Sequence, residues 1–252
     1  MRGDWKTARA AVPAAAALIG LALLATAAAA QPVAQMKGVK AAPKITKFTP
    51  AWGWAGETVV VIKGTGLTGA SAVTFNGTPA ASFAPDPKKP DKQLTATVAT
   101  GTTTGPIVVT LPGGPVTSRS EFVIVSEVDI GPCVNSGSAN VPASTSPYFE
   151  TGWDMMDSSY LKPFLKSVAT SMSVNGTPVK KAGKYWDKKG EPDGFGGWVT
   201  YFDYPPKIEL SSPGDTMTMS FDELVTKTFS DGLTTYTPGT HLLQGGCTIH
   251  AV

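Results

Sequence analysis

The amino-acid sequence predicts an all-β fold made of two β-sandwich domains. Short runs of β-branched and aromatic residues recur along the chain, and turns of Gly, Pro and Asn separate them. Only 16% of the 252 residues are charged and 42% are hydrophobic, which is enough apolar material for packed cores. The two cysteines both lie in the second half. These observations separate a first domain, residues 43–125, from a second domain, residues 126–252.

Residues 1–30 have the order of a secretory signal peptide. Three basic residues precede an apolar stretch that ends in three alanines. We expect cleavage near Gln31, with residues 31–42 as a linker. The alternative is an uncleaved leader that stays as a membrane anchor. After cleavage the sequence predicts a secreted, periplasmic or cell-surface protein that does not insert into the membrane.

The net charge gives no indication of a nucleic-acid partner. Without the leader, 18 basic and 18 acidic residues remain. The first domain is mildly basic and the second is mildly acidic. Neither imbalance predicts nucleic-acid binding, which requires a clustered basic face.

Seven short strands are predicted in the first domain. Turns of Gly, Pro and Asn separate them, which is the pattern of a β-sandwich. The predicted strands are Ile45–Phe48, Thr58–Lys63, Ala72–Phe75, Ala80–Phe83, Leu94–Ala99, Pro106–Leu111 and Glu121–Val125.

A G-x-G-x-x-G stretch, Gly64 to Gly69, follows the second of these strands. In dinucleotide-binding proteins such glycines lead from a strand into a helix whose N-terminus faces the pyrophosphate. Residues 70–76 are instead β-branched and aromatic, and Asn76-Gly77 is a hairpin turn. Asp86, a candidate ribose-binding acid, lies in a loop rich in Pro and Lys. The sequence therefore predicts turn glycines and no cofactor.

The first domain resembles the IPT/TIG family. The resemblance is carried by PKITKFTP at residues 43–50, by GETVVVIKGTGL at residues 56–67, and by the later stretches VTFNG, LTATV, GPIVVT and FVIV. It implies an immunoglobulin-like sandwich used for spacing or protein contact, and it brings no catalytic residues. The sequence departs from the family pattern in a Pro/Lys-rich insertion, residues 85–91. It departs again in Trp52-Gly53-Trp54, whose tryptophans either form a contact patch or cover the end of the sandwich.

The second domain matches no family, so its elements are predicted from pattern alone. A short helix is expected from Asp157 to Ser167, and Pro163 limits its length. The expected strands are Val168–Val174, Thr177–Lys181, Trp198–Tyr204, Thr216–Phe221 and His241–Ala251. These elements predict a mostly antiparallel β-sandwich with one short helix.

Cys133 and Cys247 are predicted to form a disulfide, because an exported chain folds in an oxidising compartment. The bond would join the first strand of the second domain to its last. The alternative is a reactive thiol or a metal pair, for which His241 and His250 are the available histidines.

The sequence of the second domain contains no recognisable catalytic grouping. Neither histidine accompanies a nucleophile-elbow sequence. Two acidic clusters have the residue types for glycoside hydrolysis or calcium binding, but such clusters usually lie in solvated loops. The clusters are Glu150, Asp154 and Asp157, and Asp187, Glu191 and Asp193. We therefore expect no enzyme activity, no cofactor and no metal.

Aromatic residues crowd the middle of the second domain. Most are expected in the core, because a domain of this size needs large apolar side chains. Tyr185 and Trp186 lie in a polar stretch and form the candidate binding platform; the alternative is that they pack in the core. The predicted function is binding of a protein or cell-envelope component. The alternative function is a carbohydrate-active or polysaccharide-binding second domain.

Overall fold

A computed structural model describes residues 42–205 and 208–252. The predicted signal peptide and nearly all of the predicted linker lie outside the described residues. Within the described part, no helix combines the length and the apolar character that crossing a bilayer requires.

The first sandwich consists of nine strands in two layers. One layer has the order β1-β3-β7-β6, and the other has the order β9-β8-β4-β5 with β2 beside β9. The strands are β1 (Lys44–Thr49), β2 (Trp52–Gly53), β3 (Val59–Thr65), β4 (Ala72–Phe75), β5 (Thr78–Pro79), β6 (Ser82–Pro85), β7 (Gln93–Thr97), β8 (Gly105–Leu111) and β9 (Gly114–Asp129).

Alternating side chains of both layers fill the core of the first sandwich. In β8, every second residue from Gly105 to Leu111 is buried, as expected for a strand with one solvated face. Ile62 and Leu94 from one layer pack in the same core as Ile107 and Phe122 from the other. The immunoglobulin-like sandwich predicted from the sequence is confirmed.

The glycine-rich stretch between β3 and β4 is a turn. Gly66 and Gly69 have φ angles of 72° and 82°, a left-handed conformation that favours glycine. Leu67 between them is fully buried, and strand β4 begins at Ala72. The element directly after Gly69 is a strand and not a helix. The glycines therefore make a turn and do not form a dinucleotide fingerprint.

Strand β9 runs without interruption from the first sandwich into the second. Its first part pairs antiparallel with β8, for example Phe122 with Gly105. Its last residues pair parallel with β11 (Ser146–Met155), for example Asp129 with Glu150. The predicted domain boundary at residues 125 and 126 therefore falls inside a strand, and one sheet extends through both sandwiches.

The second sandwich places a five-stranded sheet, β10-β19-β16-β12-β13, against the layer β14-β15-β11-β9. Most of its strand pairs are antiparallel, as predicted, but β9 with β11 and β10 with β19 are parallel. The remaining strands are β10 (Ser138–Val141), β12 (Val168–Val174), β13 (Thr177–Pro178), β14 (Glu191–Pro192), β15 (Trp198–Tyr204), β16 (Thr216–Val225), β17 (Phe229–Ser230), β18 (Thr235–Tyr236) and β19 (His241–Ala251).

Two short helices complete the second sandwich. The expected helix consists of a 3₁₀ turn, Ser158–Tyr160, followed by α2 (Leu161–Ser167). Asp157 caps this unit, because its Oδ1 accepts a hydrogen bond of 2.7 Å from the Ser159 backbone N–H. The other helix, α1 (Ile130–Ser136), is not predicted from the sequence.

Aromatic rings connect the two layers of the second core. Phe202 of β15 and Phe221 of β16 meet with their centroids 5.1 Å apart. Phe164 of α2 stacks on Trp153, with the ring centroids 5.5 Å apart. It also meets Trp186 edge to face, with the centroids 4.9 Å apart. Large rings therefore make several of the contacts between the two layers of this core.

Candidate functional site

The predicted bond between Cys133 and Cys247 is present. Their Cα atoms lie 5.5 Å apart, within the usual range for a disulfide. Cys133 lies in helix α1, not in a first strand as expected, because Asp129 ends β9 and caps α1 by accepting from the Gly131 N–H. The disulfide therefore joins α1 to β19.

Trp186, one member of the predicted binding platform, lies in the core. Its side chain is 4% exposed and packs between Phe164 and Phe202. The indole N–H donates a hydrogen bond of 2.8 Å to Thr170 Oγ1, which satisfies its polar edge inside the protein. The ring face of Trp186 is consequently not available to a ligand, and this part of the platform is corrected.

Tyr185, the other member of the platform, is partly exposed. Its ring meets the Tyr204 ring edge to face, with the centroids 4.9 Å apart. The Lys184 ammonium nitrogen lies 4.6 Å from the centroid of the Tyr185 ring. One face of Tyr185 is thus covered by a cation of the same chain.

Tyr185 lines a cavity of about 440 Å³, which we call the Tyr185 groove. It lies between the β12–β13 hairpin and the ends of β11 and β15. The walls are mainly apolar and aromatic, with Lys180 and Lys184 as their charged members. The lining residues are Pro147, Phe149, Val174, Asn175, Thr177, Pro178, Val179, Lys180, Lys184, Tyr185, Tyr204, Ile208 and Met217.

The lining of the Tyr185 groove is mainly apolar and carries two cationic side chains. It includes no His, Cys, Asp or Glu side chain. An apolar wall with two ammonium groups favours a ligand that presents an apolar group beside a negative charge. Most of these residues are predicted from the sequence as core or strand residues, and only their position at the open end of the sandwich makes them a site.

The predicted acidic clusters are rearranged by the sheet. Glu150 on β11 lies directly opposite Asp203 on the neighbouring strand β15 and opposite Asp129 on β9. Partial burial, followed by the neighbouring charges of Glu127, Asp203 and Asp129, raises the pKa of Glu150. In the residues that the structure describes, no group of three or more His, Cys, Asp or Glu side chains is arranged to hold a metal ion.

Three of the predicted acids organise turns. Asp157, Asp187 and Asp193 each accept hydrogen bonds from backbone N–H groups of their own turns. These backbone bonds lower the pKa of Asp193, and hydrogen bonds from Ser159 lower that of Asp157. Asp86 has the same role in the first sandwich, where it accepts from the backbone of Lys88 and Lys89.

The two histidines lie at opposite ends of strand β19. Nδ1 of His241 lies 2.5 Å from Asp222 Oδ1, at the exposed end of the strand. His250 is near the other end of β19, where it pairs with Thr216 and Asn140. The structure therefore keeps the histidines apart from each other.

Glu223 is a buried carboxyl, and the sequence does not predict it as a functional residue. It is 2% exposed, and its Oε1 has no hydrogen-bond partner in the described structure. Burial, and then the charge of Asp222, raises the pKa of Glu223 to about 8. The alternation of Met217, Met219 and Phe221 along β16 continues through Glu223 and places it on the same buried face.

Trp52 and Trp54 lie where the two sandwiches meet. Their rings contact each other and the ring of Tyr148 from the second sandwich, with centroids 5.3 to 5.6 Å apart. The Tyr148 hydroxyl donates a hydrogen bond of 2.9 Å to Asp203. Both tryptophans therefore cover the end of the first sandwich by an intramolecular contact.

Comparison with known proteins identifies the first sandwich. Residues 43–124 match the family model of the IPT/TIG domain, which confirms the resemblance read from the sequence. No curated protein matches the sequence.

Similarity to solved structures is low. One similar structure is SGBP-B of the Bacteroides ovatus mixed-linkage glucan utilization locus, in complex with a mixed-linkage heptasaccharide. It is 14% identical to this chain, and the TM-score is 0.29. The match covers 84% of this chain and 46% of the SGBP-B chain. SGBP-B from a complex xyloglucan utilization locus in Bacteroides uniformis is 13% identical, with a TM-score of 0.27 over 79% and 49%. The Plexin A4 extracellular region is 12% identical, with a TM-score of 0.32 over 84% and 18%. This chain thus spans less than half the length of these proteins.

Proposed function

We propose that the chain is a non-catalytic binding protein of the cell exterior, in which the first sandwich supports the second and the Tyr185 groove holds the partner. The observation that carries the proposal is the composition of the groove, where apolar and aromatic walls surround two lysines and no His, Cys, Asp or Glu side chain is present. Such a surface is suited to binding and orienting a ligand, and it lacks the His, Cys, Asp and Glu side chains that most often transfer protons or attack bonds. The disulfide supports an oxidising, extracytoplasmic compartment.

The partner that best fits the groove is a protein segment, or an envelope component with the same chemistry. It would place an aliphatic or aromatic group against Ile208 and Tyr185, and a carboxylate near Lys180 or Lys184. A sugar ring is less suited to this site, since Lys184 lies over the Tyr185 ring and Trp186 is buried. Stacking on a flat, open ring is therefore restricted at both residues of the predicted platform.

Selection from a displayed peptide library tests this proposal. The full chain should enrich peptides that carry an aromatic or aliphatic residue beside an acidic one. The variant Ile208→Asp serves for counter-selection. Ile208 lines the groove and is 38% exposed. The variant should lose these peptides, because a carboxylate in the wall repels the acidic residue and hydrates the apolar surface.

The matched control is Leu233→Asp, which places the same charge on a residue that is 78% exposed outside the groove. It should retain the selected peptides. Enrichment that survives Ile208→Asp would overturn the assignment of the groove. Saturable binding or turnover of polysaccharides by the full chain, in the absence of peptide binding, would favour the carbohydrate alternative.

A further inference from the structure

A lysine-rich segment, residues 180–189, adjoins the Tyr185 groove. It contains five of the nine lysines found in residues 126–252. Its single acid, Asp187, accepts hydrogen bonds from the backbone N–H groups of Lys189 and Gly190, at 3.1 and 2.9 Å. The carboxylate of Asp187 is therefore held by the turn, and the segment keeps a local excess of positive charge.

The same segment borders a second cavity of about 510 Å³, which we call the lysine groove. Lys184 and Tyr185 line the Tyr185 groove, whereas Gly183, Trp186 and Lys188 line the lysine groove. Consecutive residues of one short turn thus alternate between two cavities. A chain long enough to cross this turn would contact both.

Three lysines surround the lysine groove. Lys162 and Lys166 are four residues apart on α2 and so lie on the same side of the helix, and Lys188 approaches from the segment after the 3₁₀ turn. In residues 42–205 and 208–252, none of these ammonium groups forms an ion pair with a carboxylate. Like charges four residues apart on a helix repel each other weakly, and an anionic ligand would offset this repulsion.

The floor of the lysine groove is apolar. Leu161 and Leu165 of α2 line it together with Trp186. Apolar pockets rimmed by ammonium groups match a chain in which apolar and acidic side chains alternate. Stacking of a sugar ring or a nucleic-acid base requires an open aromatic face, and the 4% exposure of Trp186 does not provide one.

We propose that the two grooves together bind one extended acidic peptide segment, which crosses the turn formed by Ala182–Tyr185. This inference rests on the proposed function and names the chemistry of the partner. An apolar side chain of the segment occupies the Tyr185 groove. Its acidic residues pair with Lys162, Lys166 and Lys188 in the lysine groove.

The test uses the full chain and a fluorescent copolymer of glutamate and tyrosine, with the dissociation constant measured at two salt concentrations. The triple variant Lys162→Ala, Lys166→Ala and Lys188→Ala should bind about tenfold more weakly at low salt, because three exposed ion pairs contribute roughly 0.5 kcal/mol each. Its affinity should also depend less on salt. The triple lysine-to-arginine variant should keep the affinity.

The matched control removes three lysines of the first sandwich, Lys44, Lys47 and Lys63, which are exposed on β1 and β3. The control should stay within about twofold of the parent affinity, since screening weakens distant charges. Equal losses in both triple variants would overturn the inference, as would an unchanged affinity of the lysine-groove variant. Tighter binding of heparin or single-stranded DNA than of the copolymer would also overturn it.

Ile208→Asp separates failure of this inference from failure of the proposed function. Loss of copolymer binding in Ile208→Asp but not in the lysine-groove variant would overturn the inference and leave the proposed function standing. Loss in the lysine-groove variant but not in Ile208→Asp would overturn the assignment of the Tyr185 groove and the shared site. Loss in both variants is the result expected for one segment that spans both grooves.

Discussion

The core of the first sandwich is mainly aliphatic, whereas that of the second is rich in aromatic and Met side chains. Three of the 15 buried residues in the first core are aromatic, compared with seven of the 21 in the second. Branched aliphatic side chains from two facing sheets interdigitate closely. The Tyr185 groove lies beside the aromatic-rich second core, and Phe149, Tyr185 and Tyr204 are among its lining residues.

Thr65 Oγ1 is buried in the first sandwich without a hydrogen-bond partner in the described structure, whereas the second sandwich buries two such groups, one of them a carboxyl. Glu223 and the indole nitrogen of Trp153 are buried there without hydrogen-bond partners in the described structure. Such groups cost stability, and the disulfide joins α1 to β19 in the same sandwich. The second sandwich therefore combines the Tyr185 groove and two unpartnered buried groups with a disulfide.

Removing the disulfide should have the largest effect on this contrast. The variant Cys133→Ala with Cys247→Ala opens a loop of 114 residues, and we expect a loss of about 2 to 4 kcal/mol from the free energy of unfolding. Denaturant unfolding gives the total loss, and hydrogen exchange locates it. Faster exchange should concentrate in β16 and β19. Equal acceleration in β3 and β8 of the first sandwich would contradict a local role.

Glu223 should give the second sandwich its own pH dependence. The ordinary pKa of 4.5 is raised to about 8 in the folded protein, so the folded state holds a proton that the unfolded chain releases in that window. The contribution of Glu223 to stability is therefore greatest below pH 4.5 and falls as the pH rises towards 8, by about 1.4 kcal/mol per pH unit at most. Glu223→Gln should remove this slope in urea unfolding measured at several pH values.

The control for Glu223 is Glu57→Gln, which changes an exposed glutamate of the first sandwich. It should keep the pH slope of the parent chain. A slope that persists in Glu223→Gln would show that the buried carboxyl does not hold the proton.

Gly66→Ala tests whether the turn between β3 and β4 of the first sandwich requires glycine. The residue has a φ of 72°, and a Cβ there would lie 3.1 Å from Pro43, so we expect a loss of roughly 1 to 2 kcal/mol. Gly113→Ala is the control, because nothing lies within 4 Å of its Cβ position. Thermal unfolding compares the two variants. If Gly66→Ala is no less stable than Gly113→Ala, the turn does not require glycine.

Tyr148→Phe should cause the smallest loss of stability, and it tests the contact between the two sandwiches. The ring stays against Trp52 and Trp54, but the hydrogen bond of 2.9 Å to Asp203 is lost, at a cost of about 1 kcal/mol. Equilibrium unfolding followed by tryptophan fluorescence measures this loss. Tyr201→Phe on β15 controls for removal of a hydroxyl. An equal loss in both variants would indicate that the junction bond contributes nothing specific.

Regular alternation and turn chemistry made much of the fold predictable. Strands β4, β12, β15 and β19 begin and end at the residues expected from their patterns, and the Asn-Gly pairs turn as expected. Strand β11 was missed, since Pro147 lies near its start and its solvent face carries Glu150 and Asp154, which resemble a polar loop. Its place in the sheet depends on long-range pairing with β9 and β15, which local propensity does not encode.

The candidate site was only partly predictable. Tyr185 lies in the groove, but Trp186 beside it is buried, because the 3₁₀ turn Ala182–Tyr185 directs consecutive side chains to different surroundings. The other walls come from β11, β12, β15 and β16, which are distant in sequence. Sequence pattern marks such residues as buried or exposed, but the space between sheets appears only when the strands are paired.

Hydrogen exchange of the full chain, with and without a peptide selected for binding, tests the central claim most directly. If the second sandwich holds the partner, the peptide should slow exchange in residues 174–185 and at the end of β15, while the glycine turn at residues 64–69 stays unchanged. Slowed exchange confined to the first sandwich, or to the junction around Trp52, Trp54 and Tyr148, would contradict the account.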